Sequence, residues 1–236
     1  MMKITLRKDD VYRGYLILVN PDHLLRNAMD ETRLQTVRPG IQLEETAYAQ
    51  LMKTYRDIGM NNQITEVSGY RPLDEQKQLY ADSLRENGLE YTRKFVALPN
   101  ASEHQTGLAI DLAETKEDID FICPSFPREG ICQTFRQAAI QNGFIERYKK
   151  DKTTITKISE EPWHFRYVGA PHSIIMESRG LCLEEYMDTV RQQAIDFERY
   201  HIYHLPYEGN PITMEIGENR QVSGDNIDGF IITEIK

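Results

Sequence analysis

The chain has 236 residues, of which 40% are hydrophobic and 28% charged, values typical of a globular protein with one core or with one domain and an extension. Its formal net charge of −9 argues against nucleic acid as a partner, because contact with phosphates requires a basic surface. The three cysteines form no C-x-x-C pair, which argues against a disulfide framework and predicts reduced, buried thiols.

The first half of the chain is predicted to alternate short strands and helices. The apolar stretch 15–19 has the length of a buried strand and is too short for a signal-peptide core or a membrane span. Within 43–58, apolar residues recur every three or four positions, which indicates an amphipathic helix. A strand at 64–67 then leads through a Gly/Pro turn into a helix at 74–87, which is followed by a loop over 88–101.

The second half is predicted to contain more strands. The expected elements are a strand at 106–112, a helix at 131–142, an antiparallel pair of strands at 153–158 and 163–168, and helices at 171–179 and 183–200. From residue 206 onward, prolines and glycines separate β-rich pieces such as 229–235. This change in composition predicts a β-rich appendage and not a second catalytic domain.

Two histidines and an aspartate are the candidate metal ligands. His104 and Asp111 lie seven residues apart, and His164 follows later in the sequence Glu-Pro-Trp-His. Two imidazoles and one carboxylate are a typical protein ligand set for catalytic zinc, with the fourth position left to water. On the strand 106–112 small residues share the face of Asp111, and large apolar residues occupy the other face. Glu161, three residues before His164, could take a proton from the water.

The residues around this ligand set limit the possible chemistry. Pro162 disfavours a helical backbone at Glu161, so Glu161 and His164 cannot form the helical H-E-x-x-H pair of thermolysin-like proteases. The sequence contains no S-x-x-K, no G-x-S-x-G and no Gly-rich phosphate loop. Arg71, at a strand-to-turn transition, could bind a carboxylate or stabilise an oxyanion, or it could form an ordinary surface salt bridge.

Three motifs together resemble those of the zinc D,D-peptidases of the VanX, VanY and VanXY kind, the D-alanyl-D-alanine dipeptidases and carboxypeptidases of vancomycin resistance. The matching residues are Ser102, His104, Gly107, Ala109 and Asp111 for S-x-H-x-x-G-x-A-x-D, Glu161, Trp163 and His164 for E-x-W-H, and Ser68 to Arg71 for S-G-Y-R. The resemblance extends over about residues 12 to 180.

The resemblance implies a role for each residue of the motifs. His104, Asp111 and His164 would hold Zn²⁺, Glu161 would act as the catalytic base, and Arg71 would stabilise the oxyanion. In the same way, the substrate's terminal carboxylate or amide would be held by Ser102 and Gln76, and Trp163 would wall the pocket.

The implied fold is α+β, with a central antiparallel sheet that carries the zinc and is flanked by helices. We therefore expect a zinc D,D-peptidase domain over 1–205 and a β-rich C-terminal extension over 206–236. The implied reaction is hydrolysis of D-Ala-D-Ala and removal of the terminal D-Ala from peptidoglycan precursor peptides. The carboxypeptidase branch typically carries a membrane anchor. Because we find neither an anchor nor a signal peptide in this sequence, we expect a cytoplasmic enzyme.

Two alternatives remain at this point. The first is an L,D-peptidase or endolysin-type cell-wall peptidase on the same scaffold. The second is a zinc-containing binding or sensory module without catalysis, although a purely structural zinc would normally have a fourth protein ligand. The sequence does not indicate the oligomeric state.

Overall fold

Six helices and twelve strands make up the computed structural model, which describes residues 2–59, 62–217 and 219–236. In chain order they are β1 (Met2–Leu6), β2 (Leu34–Arg38), β3 (Ile41–Glu44), α1 (Glu45–Asp57), β4 (Ile64–Ser68), α2 (Leu73–Phe95), β5 (Ala109–Glu114), α3 (Gly130–Gln141), β6 (Phe144–Tyr148), α4 (Thr153–Thr156), β7 (Glu161–Tyr167), α5 (His172–Arg179), α6 (Leu183–Gln192), β8 (Ile195–Phe197), β9 (Tyr200–Pro206), β10 (Ile212–Ile216), β11 (Arg220–Gly224) and β12 (Gly229–Ile235).

The central sheet has four antiparallel strands in the order β4-β5-β7-β6. One face packs against α1 and α3 through a core that includes Leu51, Leu112, Phe135 and Phe165. The rings of Phe135 and Phe165 meet edge to face, with centroids 5.1 Å apart, a favoured geometry for buried aromatic residues. The predicted α+β fold with a central antiparallel sheet and flanking helices is confirmed.

A second antiparallel sheet, in the order β11-β12-β9-β8, dominates the C-terminal part, and β10 pairs with β1. The predicted strand-rich C-terminal region is therefore confirmed. This sheet draws strands from both sides of residue 206, because β12 pairs with β9 along its whole length. Its core joins α5 and α6 through residues such as Ile202 and Ile231. The division at 205/206 stays a prediction.

The prediction of a strand at 15–19 is wrong. Leu16 and Leu18 are buried as expected, but the segment pairs with no strand in the described structure. Its backbone is satisfied in other ways: the Leu16 amide donates to Ser223 Oγ at 2.9 Å, and Arg166 donates to the carbonyl of Ile17 at 3.0 Å. Hydrophobicity predicted the burial, but these partners lie too far along the chain to be predicted from the segment.

Several other boundaries differ from the predictions. The stretch 153–158 contains the short helix α4 and no strand, and β7 pairs with β5 and β6 instead. The helix expected to reach 200 ends at Gln192, since the next residues form the β8–β9 pair and bury Ile195 against Ile202. The spacing of the apolar residues in these strands fits the period of a helix as well as that of a strand, so sequence alone could not distinguish the two.

Three further elements are displaced. The helix expected from 43 begins at Glu45, because Ile41–Glu44 is a strand. In the loop expected over 88–101, helix resumes after Gly88, whose φ of 77° interrupts α2. The strand expected at 106–112 starts at Ala109, after a 3₁₀ turn at Glu103–Thr106. The remaining predicted helices and strands are confirmed to within a few residues.

Candidate active site

The register of the central sheet places Asp111 and His164 side by side. Asp111 of β5 lies opposite His164 of β7 and opposite Ser68 of β4. Residues directly opposite each other on antiparallel strands project from the same face. As a result, Asp111 Oδ1 lies 2.8 Å from His164 Nδ1. Ala109, on the same face, lies opposite the fully buried Arg166, whose bulk a small neighbour accommodates.

His104 reaches the same point from the 3₁₀ turn before β5. Gly107 ends that turn with a φ of 70°, a left-handed conformation that favours glycine. His104 Nδ1 lies 2.7 Å from the carbonyl oxygen of Gly69. A carbonyl can only accept, so Nδ1 carries the hydrogen. The lone pair of Nε2 therefore faces Asp111 Oδ2, 3.1 Å away.

These three residues fit a catalytic zinc ion. One ligand atom from each of His104, Asp111 and His164 lies within 4.8 Å of the others, and all three residues are buried. Burial lowers the pKa of His104 despite the opposing charge of Asp111, which favours the neutral form that binds metal. Two acceptors, His104 Nε2 and Asp111 Oδ2, then face each other, an arrangement that a cation between them stabilises. The set supplies two nitrogens and one carboxylate and leaves one position open.

The charge of Asp111 dominates its surroundings. Burial opposes ionisation of this carboxyl, but His104 and His164 outweigh it and hold its pKa well below the usual range. Burial likewise opposes protonation of His164, but Asp111 raises the pKa of that imidazole to about 10. The cluster therefore attracts positive charge to the point where its ligand atoms converge.

Glu161 lies at the edge of the ligand cluster. Its Oε2 is 3.8 Å from His164 Nδ1, too far for a hydrogen bond. The β6–β7 register shifts between Glu146 and Tyr148, next to this position. Because of this irregularity, Glu161 and His164 do not project from opposite faces as residues three apart do on a regular strand. Burial raises the pKa of Glu161 to about 8, and the charge of Asp111 adds to the effect. A cation held by the cluster acts in the opposite direction and favours the carboxylate form.

Arg71 lines the site and is half-buried. Its guanidinium donates to Ser68 Oγ at 2.8 Å and to Gln76 Oε1 at 2.9 Å. No carboxylate lies within 4.0 Å of it among the described residues, so the surface salt bridge considered from sequence is absent there. Burial lowers its pKa, while Asp111 and Glu161 oppose that shift. The arginine is thus held by neutral partners and keeps its charge available to a ligand.

The three predicted substrate contacts share one cavity of about 160 Å³ with the metal ligands, Glu161 and Arg71. Ser102 and Trp163 both line it and are both buried. Gln76 lines it too, but its two ends are engaged: Nε2 donates to the carbonyl of Ala97 at 2.8 Å, and Oε1 accepts from Arg71. Gln76 therefore holds Arg71 in place, and its direct contact with substrate stays a prediction.

Sequence reasoning did not single out several residues next to the site. The Tyr148 ring lies 4.9 Å from the His164 ring. Glu103, beside His104, is fully buried and contacts Arg147 and Arg166. A charged residue inside the S-x-H motif was the only available signal for Glu103. Nothing in the sequence near Arg147 or Arg166 indicates that either side chain contacts Glu103.

A second cluster of possible ligands, His204, Asp225 and Asp228, is an ion-pair network. Arg191 donates to Asp225 at 2.8 Å and to Asp228 at 2.5 Å, so a cation is already provided. Asp225 Oδ1 also accepts from the backbone amide of Gly229 at 3.0 Å. This cluster closes the turn before β12.

Within residues 2–59, 62–217 and 219–236, no helix has both the length and the apolar character needed to cross a membrane.

Comparison with known proteins identifies the family. Residues 41–170 match the family model of VanY, D-alanyl-D-alanine carboxypeptidase, a span of more than half the chain. The chain belongs to the VanY family. It is also similar over 187 residues to the bifunctional D-Ala-D-Ala dipeptidase and D-Ala-D-Ala carboxypeptidase VanXYC of Enterococcus gallinarum. The identity is 43%, over 77% of this chain and 98% of the relative.

Solved structures of this VanY-family fold agree. The vancomycin resistance D,D-dipeptidase VanXYg, in complex with a D-Ala-D-Ala phosphinate analog, has a TM-score of 0.92 at 44% identity and covers 100% of this chain and 99% of its own. A mutant of the D,D-pentapeptidase VanY from a VanB-type resistance cassette, in complex with Zn(II), has a TM-score of 0.57 at 29% identity, over 73% and 98%. The LdcB LD-carboxypeptidase has a TM-score of 0.62 at 28% identity, over 74% and 86%.

Proposed function

We propose that this chain is a zinc-dependent D,D-peptidase that hydrolyses D-Ala-D-Ala and removes the terminal D-Ala from peptidoglycan precursor peptides. The family match and the activities named for the relatives support this reaction. Loss of these termini contributes to resistance against vancomycin-type glycopeptides, because the antibiotic binds peptides that end in D-Ala-D-Ala.

The observation that carries the proposal is the convergence of His104, Asp111, His164 and Glu161 on one buried cavity. Three protein ligands and an open position are typical of catalytic zinc, whereas structural zinc is closed by a fourth ligand. A carboxylate next to the open position is the further group that hydrolysis requires. This arrangement favours catalysis over a purely binding or sensory module.

The reaction divides between the metal and the side chains. His104, Asp111 and His164 would hold a zinc ion, which would supply the Lewis acidity that polarises the scissile carbonyl and acidifies the attacking water. Glu161 takes the proton from that water and delivers it to the amine of the departing D-alanine. Arg71 points its fixed guanidinium at the carbonyl oxygen as negative charge develops there.

The remaining cavity residues bind and orient the substrate. Ser102 offers a hydroxyl to the terminal carboxylate or amide of the peptide, and Gln76 stabilises Arg71 and borders the same space. Trp163 forms an apolar wall that excludes water from the charged groups, which strengthens their interactions. The cavity thus joins a polar end for the peptide terminus to an apolar wall.

The test is the release of free D-alanine by the purified, zinc-loaded protein. We expect release from D-Ala-D-Ala and from a pentapeptide ending in D-Ala-D-Ala, loss of activity with a chelator, and recovery on return of zinc. The control substrate is a tetrapeptide ending in L-Lys-D-Ala. Cleavage of this control, without cleavage of the D,D substrates, would instead identify an L,D-peptidase, the second candidate that the LdcB likeness keeps open.

We assign catalysis to residues 1–205, because this range contains every proposed site residue. Residues 206–236 would form a supporting extension, since Ser223 binds the backbone of Leu16. A cytoplasmic location stays a prediction from the sequence, to be tested by fractionation of cells that express the native chain.

A further inference from the structure

Glu103 is a fully buried carboxylate whose two oxygens have different surroundings. Oε1 accepts from Arg147 Nε at 2.8 Å and from Arg166 Nη1 at 2.9 Å. Oε2 has no hydrogen-bond partner within the described residues. His164 Nε2 lies 3.5 Å from it, and this nitrogen is also buried without a partner in that part of the chain. Two complementary atoms therefore face each other inside the protein.

The two nitrogens of His164 face different groups. Nδ1 lies at the metal cluster, 2.8 Å from Asp111 Oδ1. A neutral imidazole that offers Nδ1 as a ligand carries its hydrogen on Nε2. Glu103 Oε2 lies 3.5 Å from that nitrogen, so a contraction by a few tenths of an ångström brings the two atoms to hydrogen-bond distance. Histidine ligands commonly donate their second N–H to a carboxylate, which fixes the tautomer and the ring orientation.

Surrounding charges keep Glu103 ready to accept this hydrogen. Arg147 and Arg166 both donate to its Oε1, at 2.8 and 2.9 Å, and two positive charges at this distance favour the carboxylate form. Arg147 is fixed in turn by a bidentate contact with Glu184, at 2.7 and 2.8 Å. Arg166 also donates to the carbonyl oxygens of Tyr15 and Ile17. The carboxylate therefore sits in a rigid, fully buried framework.

We propose that Glu103 is a positioning residue that acts through His164: its Oε2 accepts the Nε2 hydrogen and so fixes Nδ1 as the metal-binding nitrogen. The inference rests on the proposed function, because it assumes that His164 is a metal ligand. Partners of this kind are worth about 10- to 100-fold in metal affinity. A purely structural Glu103 would only neutralise the two arginines.

Glu184 separates the two roles. Both Glu103 and Glu184 contact Arg147, and Glu184 does so through two short charged hydrogen bonds. The ion-pair partner of Glu184 is Arg147 and not the histidine of the metal cluster. Glu184→Gln weakens the same buried charge network and leaves the Glu103–His164 pair in place. It is thus a matched control for the loss of a buried carboxylate.

The experiment measures zinc affinity by competition with a chromophoric chelator for the wild type, Glu103→Gln and Glu184→Gln. We expect Glu103→Gln to lose about 10- to 100-fold in affinity and Glu184→Gln to stay within about 3-fold of the wild type. Wild-type affinity in Glu103→Gln, or equal losses in both variants, would overturn the inference. A wild type that binds no zinc would instead refute the proposed function.

A spectroscopic measurement on the wild type covers the case in which Glu103→Gln does not fold. In zinc-loaded protein with ¹⁵N-labelled histidine, we expect His164 to show a slowly exchanging Nε2–H resonance, shifted downfield by its carboxylate partner, and an unprotonated Nδ1. The signal is assigned by its absence in His164→Ala. A proton on Nδ1, or rapid solvent exchange at Nε2, would contradict the assignment.

Discussion

His172 makes the stability of this fold depend on pH. The side chain is fully buried, with Nδ1 2.6 Å from the Tyr186 hydroxyl and Nε2 3.2 Å from Thr233 Oγ1. It therefore joins α5 to α6 and to β12. Burial lowers its pKa from 6.5 to about 3. The folded protein keeps this imidazole neutral at pH values where the unfolded chain protonates it.

The direction and size of the effect follow from this difference. Because the folded pKa is lowered, the stability is present above about pH 6.5 and is lost as pH falls toward 3. In this range the unfolded state binds one more proton, which costs about 1.4 kcal/mol per pH unit. Between pH 7.5 and pH 5.0 the free energy of unfolding should therefore fall by about 2 kcal/mol from this residue alone.

The assay is urea unfolding at the two pH values for the wild type and His172→Gln. Glutamine can hydrogen-bond with Tyr186 and Thr233 but does not titrate, so the variant should show a pH-dependent loss smaller by about 2 kcal/mol. His201→Gln, on the surface of β9 beside Asp196, controls for the removal of one histidine. Equal pH dependence in the wild type and His172→Gln would refute the reasoning, whatever the absolute stabilities.

Four further predictions concern the site. His104→Ala and Asp111→Ala should each lose bound zinc, which metal analysis would detect; full occupancy in both would exclude these ligands. Glu161→Ala should keep its zinc and lose at least about 100-fold in kcat, the scale for a general base, and a near-normal rate would point to neighbouring Glu160. Arg71→Ala should lower kcat with little change in KM, since the oxyanion contact forms mainly in the transition state; a raised KM with normal kcat would indicate substrate binding instead. Measured side by side, kcat/KM should be higher for D-Ala-D-Ala than for D-Ala-D-Ser, by a factor that corresponds to about 1–3 kcal/mol, the contribution of one small group in a pocket. Equal values would contradict a role in resistance.

Local patterns predicted the parts of this fold that depend on neighbouring residues. The alternation around Asp111 identified a strand with one core face, and Leu112 lies in that core. The same approach failed at 15–19, because a short buried apolar segment looks like a strand in sequence even when it forms a turn and irregular backbone. It failed at 183–200 because apolar residues there fit both a helix and the strands that follow.

The candidate site shows the same limit. His104, Asp111, Glu161 and His164 lie in two short motifs, so sequence could propose them together. Their proximity in the structure depends on the β5–β7 register, which no local sequence pattern predicts. Glu103 could not be assigned a role from sequence, because its role depends on contacts with arginines that lie 44 and 63 residues further along the chain.

The contacts of Arg166 have a consequence for how the protein folds. The guanidinium that holds Glu103 also holds the backbone of residues 15–17, and that segment is bound by Ser223, 207 residues after Leu16. Closing such long loops carries an entropic cost before the contacts that reward it can form, so we expect these links to form late in folding. On the ribosome, all the motif residues emerge well before the strands near residue 223. We therefore expect the surroundings of His164 to be completed only after residue 223 has been synthesised.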